Sequence, residues 1–252
     1  MINLITKDWT ISNIETALFD KDGTFIDLHY FWGKMTEMRA SEVIKRFNLN
    51  NDCFSRICSF LGYNTTSCKM LADGITALYS RVKIIEIFKS NLLELGVKTT
   101  DSDIADIFDF VSSEFYKDMV KYTKPIDDAI DFIKELRKCG IKTGIVTSDS
   151  VESTNLTIKN FGWEDLFDIV IGRESSKETK ESGIPTKMAL KQIDANPKTT
   201  IMIGDAPMDY ISAKNAGIEK TILVASGQIE KEELKKTSPY TLQSLNEVKI
   251  TN

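Results

Sequence analysis

From about residue 125 the apolar positions fall into a regular pattern. Ile126, Ala129, Ile130, Ile133 and Leu136 recur at three- and four-residue spacing, opened by Pro125 and closed by Cys139-Gly140. That spacing and punctuation predict a helix. Residues 141–147 then read as a strand, 150–161 as a helix ending at Gly162, and 167–171 as a second strand. Residues 185–193 read as a helix, 199–204 as a strand, 209–216 as a helix stopped by Gly217, and 221–224 as a last short strand. Near the start of the chain a further apolar stretch, Leu18-Phe19, runs into Asp20. Strand alternating with helix predicts parallel pairing through right-handed crossovers, hence an open, Rossmann-like α/β sheet flanked by helices. In such sheets the ligand crevice lies beyond the carboxyl ends of the strands.

Residues 26–124 read differently. Residues 37–47, 73–95 and 103–122 carry helical patterns with few strand signals. This block is expected to be an inserted α-helical subdomain, leaving 1–25 and 125–252 as the α/β core.

The totals narrow the function. A chain of 252 residues with 42% hydrophobic content can bury a proper core. The net charge of −5 is spread over mixed signs, which argues against nucleic acid as a partner. The mixed run 231–236 reads as a solvated helix face. No apolar run approaches the roughly 18 residues of a membrane span, and the first residues lack the pattern of a secretory leader. A soluble, cytoplasmic protein is expected. Cys53, Cys58, Cys68 and Cys139 match no zinc spacing and read as reduced thiols. His29 is the only histidine, so acid–base chemistry falls mainly to carboxylates, lysines or His29.

Three strand ends carry candidate chemistry. In Leu18-Phe19-Asp20-Lys21-Asp22-Gly23-Thr24 two acids stand one residue apart at a strand tip. One can attack an electrophile while the other moves protons. In Ile203-Gly204-Asp205-Ala206-Pro207-Met208-Asp209 a strand ends in an acid, and a second acid follows one helical turn later. Magnesium takes one or two carboxylates with waters and phosphate; Asp209 could equally only complement its helix N-terminus. In Thr147-Ser148-Asp149-Ser150 a hydroxyl can donate to a phosphate oxygen, while Asp149 or Ser150 is suited to cap the next helix. Lys177, Lys180 and Lys187 are the candidate cations for phosphoryl oxygens.

Taken together these segments resemble the haloacid dehalogenase superfamily, specifically its Asp-x-Asp-Gly-Thr phosphatases of the phosphoglycolate phosphatase type. Residues 20–24 are similar to its first motif, Thr147 to its second, and 204–209 to its fourth; the likeness covers about 15–25 and 125–225. Block 26–124 stands where that superfamily carries a type 1 helical cap. The third motif departs from the common Lys-Pro-x-Pro, because Lys180-Glu181-Ser182-Gly183-Ile184-Pro185 lacks the proline after the lysine. Lys180 is the chosen counterpart and Lys187 the reserve.

The resemblance implies a magnesium-dependent phosphatase acting on a small phosphorylated metabolite. Asp20 would be the nucleophile and Asp22 the proton carrier. Asp20, Asp205, Asp209 and the backbone carbonyl of Asp22 would hold Mg2+, with Thr147 and Lys180 on the phosphoryl oxygens. A phosphomutase of the same superfamily and a phospho-aspartate signalling protein are the alternatives. For substrate choice, His29-Tyr30-Phe31-Trp32 could line a leaving-group pocket or pack the hinge between cap and core. Arg39 and Arg81 could bind an acidic group but read as surface helix residues.

Overall fold

A computed structural model of the chain describes residues 1–251. They form two compact units, Met1–Asp27 with the chain from Pro125 onward, and Leu28–Lys124. The first begins with strands β1 (Ile2–Ile5), β2 (Thr10–Ile14) and β3 (Thr16–Phe19). The helical unit holds α1 (Leu28–Phe47), α2 (Phe54–Phe60), β4 (Tyr63–Asn64), β5 (Lys69–Met70), α3 (Ile75–Leu78), α4 (Arg81–Leu92), α5 (Asp101–Lys117) and α6 (Met119–Tyr122). The α/β unit resumes with α7 (Asp127–Lys138), β6 (Lys142–Val146), α8 (Val151–Phe161), β7 (Ile169–Ile171) and α9 (Ile184–Gln192). It ends with β8 (Thr200–Gly204), α10 (Pro207–Asn215), β9 (Lys220–Val224), α11 (Lys231–Leu234), β10 (Thr241–Leu242) and β11 (Lys249–Thr251). No described helix is long and apolar enough to cross a membrane.

The main sheet has six strands in the order β10-β9-β8-β3-β6-β7, every neighbouring pair parallel. All four residues of β3 and all five of β8 are buried. That is the signature of parallel strands covered on both faces. On one side Leu18, Val146 and Met202 pack with Ala189 and Leu190 of α9 and Ala213 of α10. Phe19 pairs with Ile145 on one side and Ile203 on the other. The central strand therefore delivers Asp20 between the carboxyl ends of β6 and β8.

A second sheet, β11-β1-β2, is antiparallel and lay outside the sequence reading. Its strands are short, and β1 pairs with the far end of the chain, Leu4 opposite Ile250. No local window carries that signal.

In the helical unit, α1 starts well before the expected residue 37, because Leu28, Phe31 and Met35 extend its buried face. The expected helix over 73–95 is broken by Ser80, which is extended (ψ 155°), into α3 and α4. Thr100 and Asp103 cap α5 reciprocally. Phe31 is buried against Phe115, their ring centroids 5.0 Å apart. His29 Nδ1 accepts the Met70 N–H at 3.1 Å, tying α1 to the β4–β5 hairpin. Arg81 pairs with Asp109 on the surface. Arg39 corrects the expectation of a surface residue: it is 7% exposed, with its guanidinium carbon 4.0 Å from the Phe108 ring centroid.

Candidate active site

Asp20, Thr147 and Asp205 are each the first residue beyond their strands, β3, β6 and β8. The sheet brings all three to one edge, and all three are buried. The Asp20 N–H donates to Ile203 O at 2.8 Å, and the Thr147 N–H to Ile171 O at 2.9 Å. Past Asp20 the chain turns sharply. The Lys21 carbonyl accepts from the N–H groups of Thr24, Phe25 and Ile26. Gly23 sits at φ +88°, a conformation that favours glycine. Ser226 Oγ donates to Gly23 O at 2.6 Å, tying the loop after β9 to this turn.

Carboxylate oxygens of Asp20, Asp205 and Asp209 all lie within 4.8 Å of one another. The Lys180 ammonium meets Asp20 Oδ1 and Asp209 Oδ1, each at 2.6 Å. Asp209 also complements its helix N-terminus, its Oδ2 accepting the Ala206 N–H at 3.0 Å at the start of α10. A Cβ at Gly204 would overlap the Asp209 carboxyl group, and one at Gly227 the Asp205 carboxyl group. Both positions are thus confined to glycine by the acids beside them.

Of the three candidate lysines, Lys180 is buried, and Lys177 and Lys187 are exposed. A short 3-10 turn, Lys180–Ser182, replaces the missing proline. Gly183, at φ +76°, ends that turn and opens α9, where Pro185 fills the first turn. Asn215 Nδ2 of α10 donates to Glu181 O at 2.7 Å. The lysine turn is therefore anchored to the helix that also carries Asp209.

The second acid of the first motif has different surroundings. The Asp22 carboxylate is not in the three-acid cluster; its Oδ1 accepts from Lys21 Nζ at 2.7 Å. Lys21 is fully buried and its ammonium also lies 2.9 Å from Asp149 Oδ2. Neither Lys21 nor Asp149 was singled out for the site by sequence. Of the two cap candidates Asp149 and Ser150, Ser150 takes the role at α8, accepting from Ser153 N at 3.0 Å. The only hint of Lys21 was a cation flanked by two acids.

The electrostatics follow from burial. Burial raises Asp22 to about 6, with Lys21 working against it. Burial likewise raises Asp209 to about 6, opposed by Lys180. Asp205 is pushed well above the ordinary carboxylate range by burial and by the neighbouring charges of Asp20 and Asp209. Burial works against both ammonium groups, yet their paired carboxylates hold Lys21 and Lys180 above the usual lysine value. Among the described residues no cationic side chain lies within ion-pair distance of Asp205. Three converging oxygen donors with one ammonium between them suit a hard divalent cation.

A family model described as haloacid dehalogenase-like hydrolase matches residues 17–224. The chain belongs to this family of haloacid dehalogenase-like hydrolases. It is 32% identical over 228 residues to a protein of Caldanaerobacter subterraneus subsp. tengcongensis whose name is that of a pyrophosphatase, PpaX, covering 90% of this chain and 88% of the relative. It is 24% identical over 212 residues to pyrophosphatase PpaX of Bacillus mycoides, with 84% of each chain covered. Among solved structures, a predicted phosphoglycolate phosphatase of Haemophilus somnus 129pt superposes with a TM-score of 0.70 at 14% identity, over 93% of this chain and 96% of that one. A Thermotoga maritima structure named for a β-phosphoglucomutase gives 0.66 at 16% identity, with the same coverage. At such identities these two structures show the fold.

Proposed function

We propose that the protein is a magnesium-dependent phosphatase that hydrolyses a small phosphorylated metabolite through a phosphorylated Asp20. The observation that carries this reading is the unequal setting of the two acids in one turn. Asp20 stands in the acid cluster with Lys180 on Oδ1. Asp22 stands outside it, with its carboxyl raised to about 6 by burial against the pull of Lys21. A proton carrier works best when its pKa lies near the operating pH.

The Asp20 carboxylate attacks phosphorus; an O–P bond forms as the ester P–O bond breaks. Asp22 gives its proton to the departing oxygen. Water then attacks the phosphorus of the acyl phosphate, its proton passes to the Asp22 carboxylate, and Asp20 is regenerated with release of phosphate. Thr147 and Lys180 hold phosphoryl oxygens, the ammonium balancing charge that grows in the transition state. Asp20, Asp205, Asp209 and the Asp22 backbone carbonyl would hold Mg2+, which would supply further positive charge at the phosphoryl oxygens. The helical unit, read as a type 1 cap, would carry substrate choice, and the four unpaired cysteines fit a cytoplasmic setting.

The 32% identity with a pyrophosphatase-named relative favours a second substrate class, pyrophosphate. A phosphate-release screen over metabolite phosphates and pyrophosphate, with and without magnesium, separates the two. The Asp20→Asn protein should lose turnover of p-nitrophenyl phosphate and form no acid-trapped phosphoprotein. Turnover at the parental rate would sink the mechanism.

A further inference from the structure

Lys21 is fully buried in the turn after β3, and none of the steps proposed for the site uses its ammonium. It donates to Asp22 Oδ1 at 2.7 Å and lies 2.9 Å from Asp149 Oδ2. A buried ammonium is tolerated only where it is closely paired, so these two carboxylates explain its presence. The bridge joins the turn after β3 to the turn after β6.

Its far end is rigidly held. Asp149 Oδ1 accepts the Ser150 N–H at 2.7 Å, and the Asp149 N–H donates to Thr147 Oγ1 at 3.1 Å. The Asp149 carbonyl accepts the Arg173 N–H at 2.9 Å. A side chain at Gly172 would press within 2.7 Å of Val151 N and 2.8 Å of Asp149 O, so that loop closes tightly over it. The near end is held through the Lys21 carbonyl, which accepts from three successive N–H groups. Asp22 itself is half-buried in a turn completed by a left-handed glycine. The Asp22 carboxylate thus rests on a lysine whose backbone and ammonium are both held.

We propose that Lys21 and Asp149 are positioning residues that aim the Asp22 carboxyl group at the leaving-group oxygen and so govern proton delivery rather than attack on phosphorus. This rests on the phosphatase reading of the site. Misplacing a catalytic group by about 1 Å can cost on the order of 100-fold in rate. The loss should depend on the leaving group. p-Nitrophenolate departs as a stable anion without a proton, whereas an alkoxide needs one.

The test compares kcat/KM for p-nitrophenyl phosphate and glycerol 3-phosphate in the parental protein, Asp22→Asn, Asp149→Asn, Lys21→Met and Lys21→Arg. General acid catalysis is worth roughly 100-fold or more. Asp149→Asn and Lys21→Met should therefore lose about tenfold or more on the alkyl ester beyond their loss on the aryl ester, with the same bias as Asp22→Asn. Lys21→Arg, which keeps a cation between the two acids, should restore part of the bias. If Lys21→Met does not fold, the near-isosteric Asp149→Asn carries the test. The apolar double variant Lys21→Met/Asp149→Leu, which leaves neither of the two charges behind, repeats it. Equal losses on both esters, or no loss on either, would overturn the positioning role while leaving the phosphatase reading intact. A parental protein that turns over neither ester with magnesium would overturn the phosphomonoester reading of the site and the positioning role with it.

Discussion

Replacing Lys180 by methionine removes the one ammonium that, among the described residues, pairs with the acid cluster, but keeps a side chain of similar length. The structure sets the size of the effect. Lys180 is 3% exposed at its side chain and sits 2.6 Å from both Asp20 and Asp209. At that distance and an effective dielectric of about 20, each contact is worth about 6 kcal/mol before desolvation. Desolvation of the lysine offsets much of this, so breaking such a buried pair costs about 3–5 kcal/mol net. For a chain of this size each kcal/mol moves the midpoint by about 2–4 °C. The chelated Lys180→Met protein should therefore melt about 6–20 °C below the parent at pH 7.5. Asp209, already raised to about 6, can relieve the strain by taking up a proton, so the deficit should shrink at pH 5. Saturating magnesium should restore more stability to the variant than it adds to the parent, because it replaces a missing positive charge; a ligand at 100 times its Kd contributes about 2.7 kcal/mol. The assay is circular dichroism melting in EDTA and in magnesium. A variant melting within about 2 °C of the parent in EDTA would refute the reasoning.

Two further outcomes follow from buried charge. Asp22 and Asp209, raised from 3.8 to about 6, bind a proton more tightly when folded; the stability this gives is complete below pH 4 and is lost as pH rises through 6, about 3 kcal/mol for one such group. Melting of the chelated protein should fall from pH 4.5 to 7.5, and a midpoint that rises steadily across that range would contradict the assignment; Asp149, shifted downward, titrates below this window. Arg39, lowered to about 9 by burial, has an Nε with no hydrogen-bond partner, so Arg39→Met should raise the melting midpoint by a few degrees, about 1–2 kcal/mol, and a fall of more than about 5 °C in differential scanning calorimetry would contradict it.

What sequence could reach was set by the range of each determinant. The strand-end residues Asp20, Thr147 and Asp205 were legible because each follows an apolar run buried on both faces, and a parallel sheet must gather such ends on one edge. Lys180 was legible through its place before the Pro185 helix, although its common proline is absent. Burial then separates it from Lys177 and Lys187, and that burial is fixed by α10, far along the chain. Arg39 was misread because the face of α1 that turns inward is decided by Phe108 on another helix. The partner of Lys21 could not be read from its own neighbours, since Asp149 follows a different strand.

The same topology gives the site a division that neither motif contains alone. β3 lies between β8 and β6, and each neighbour sends one acid back to it across a buried lysine. On the β8 side Lys180 joins Asp20 to Asp209; on the β6 side Lys21 joins Asp22 to Asp149. The chain turns sharply after Asp20, the Lys21 carbonyl accepting from the N–H groups of Thr24, Phe25 and Ile26, and the two acids of one turn fall to separate bridges. Each acid therefore has its own cation and its own supporting carboxylate. Their inequality is built into the strand order, and a change to one bridge should alter attack or proton delivery without converting one acid into the other.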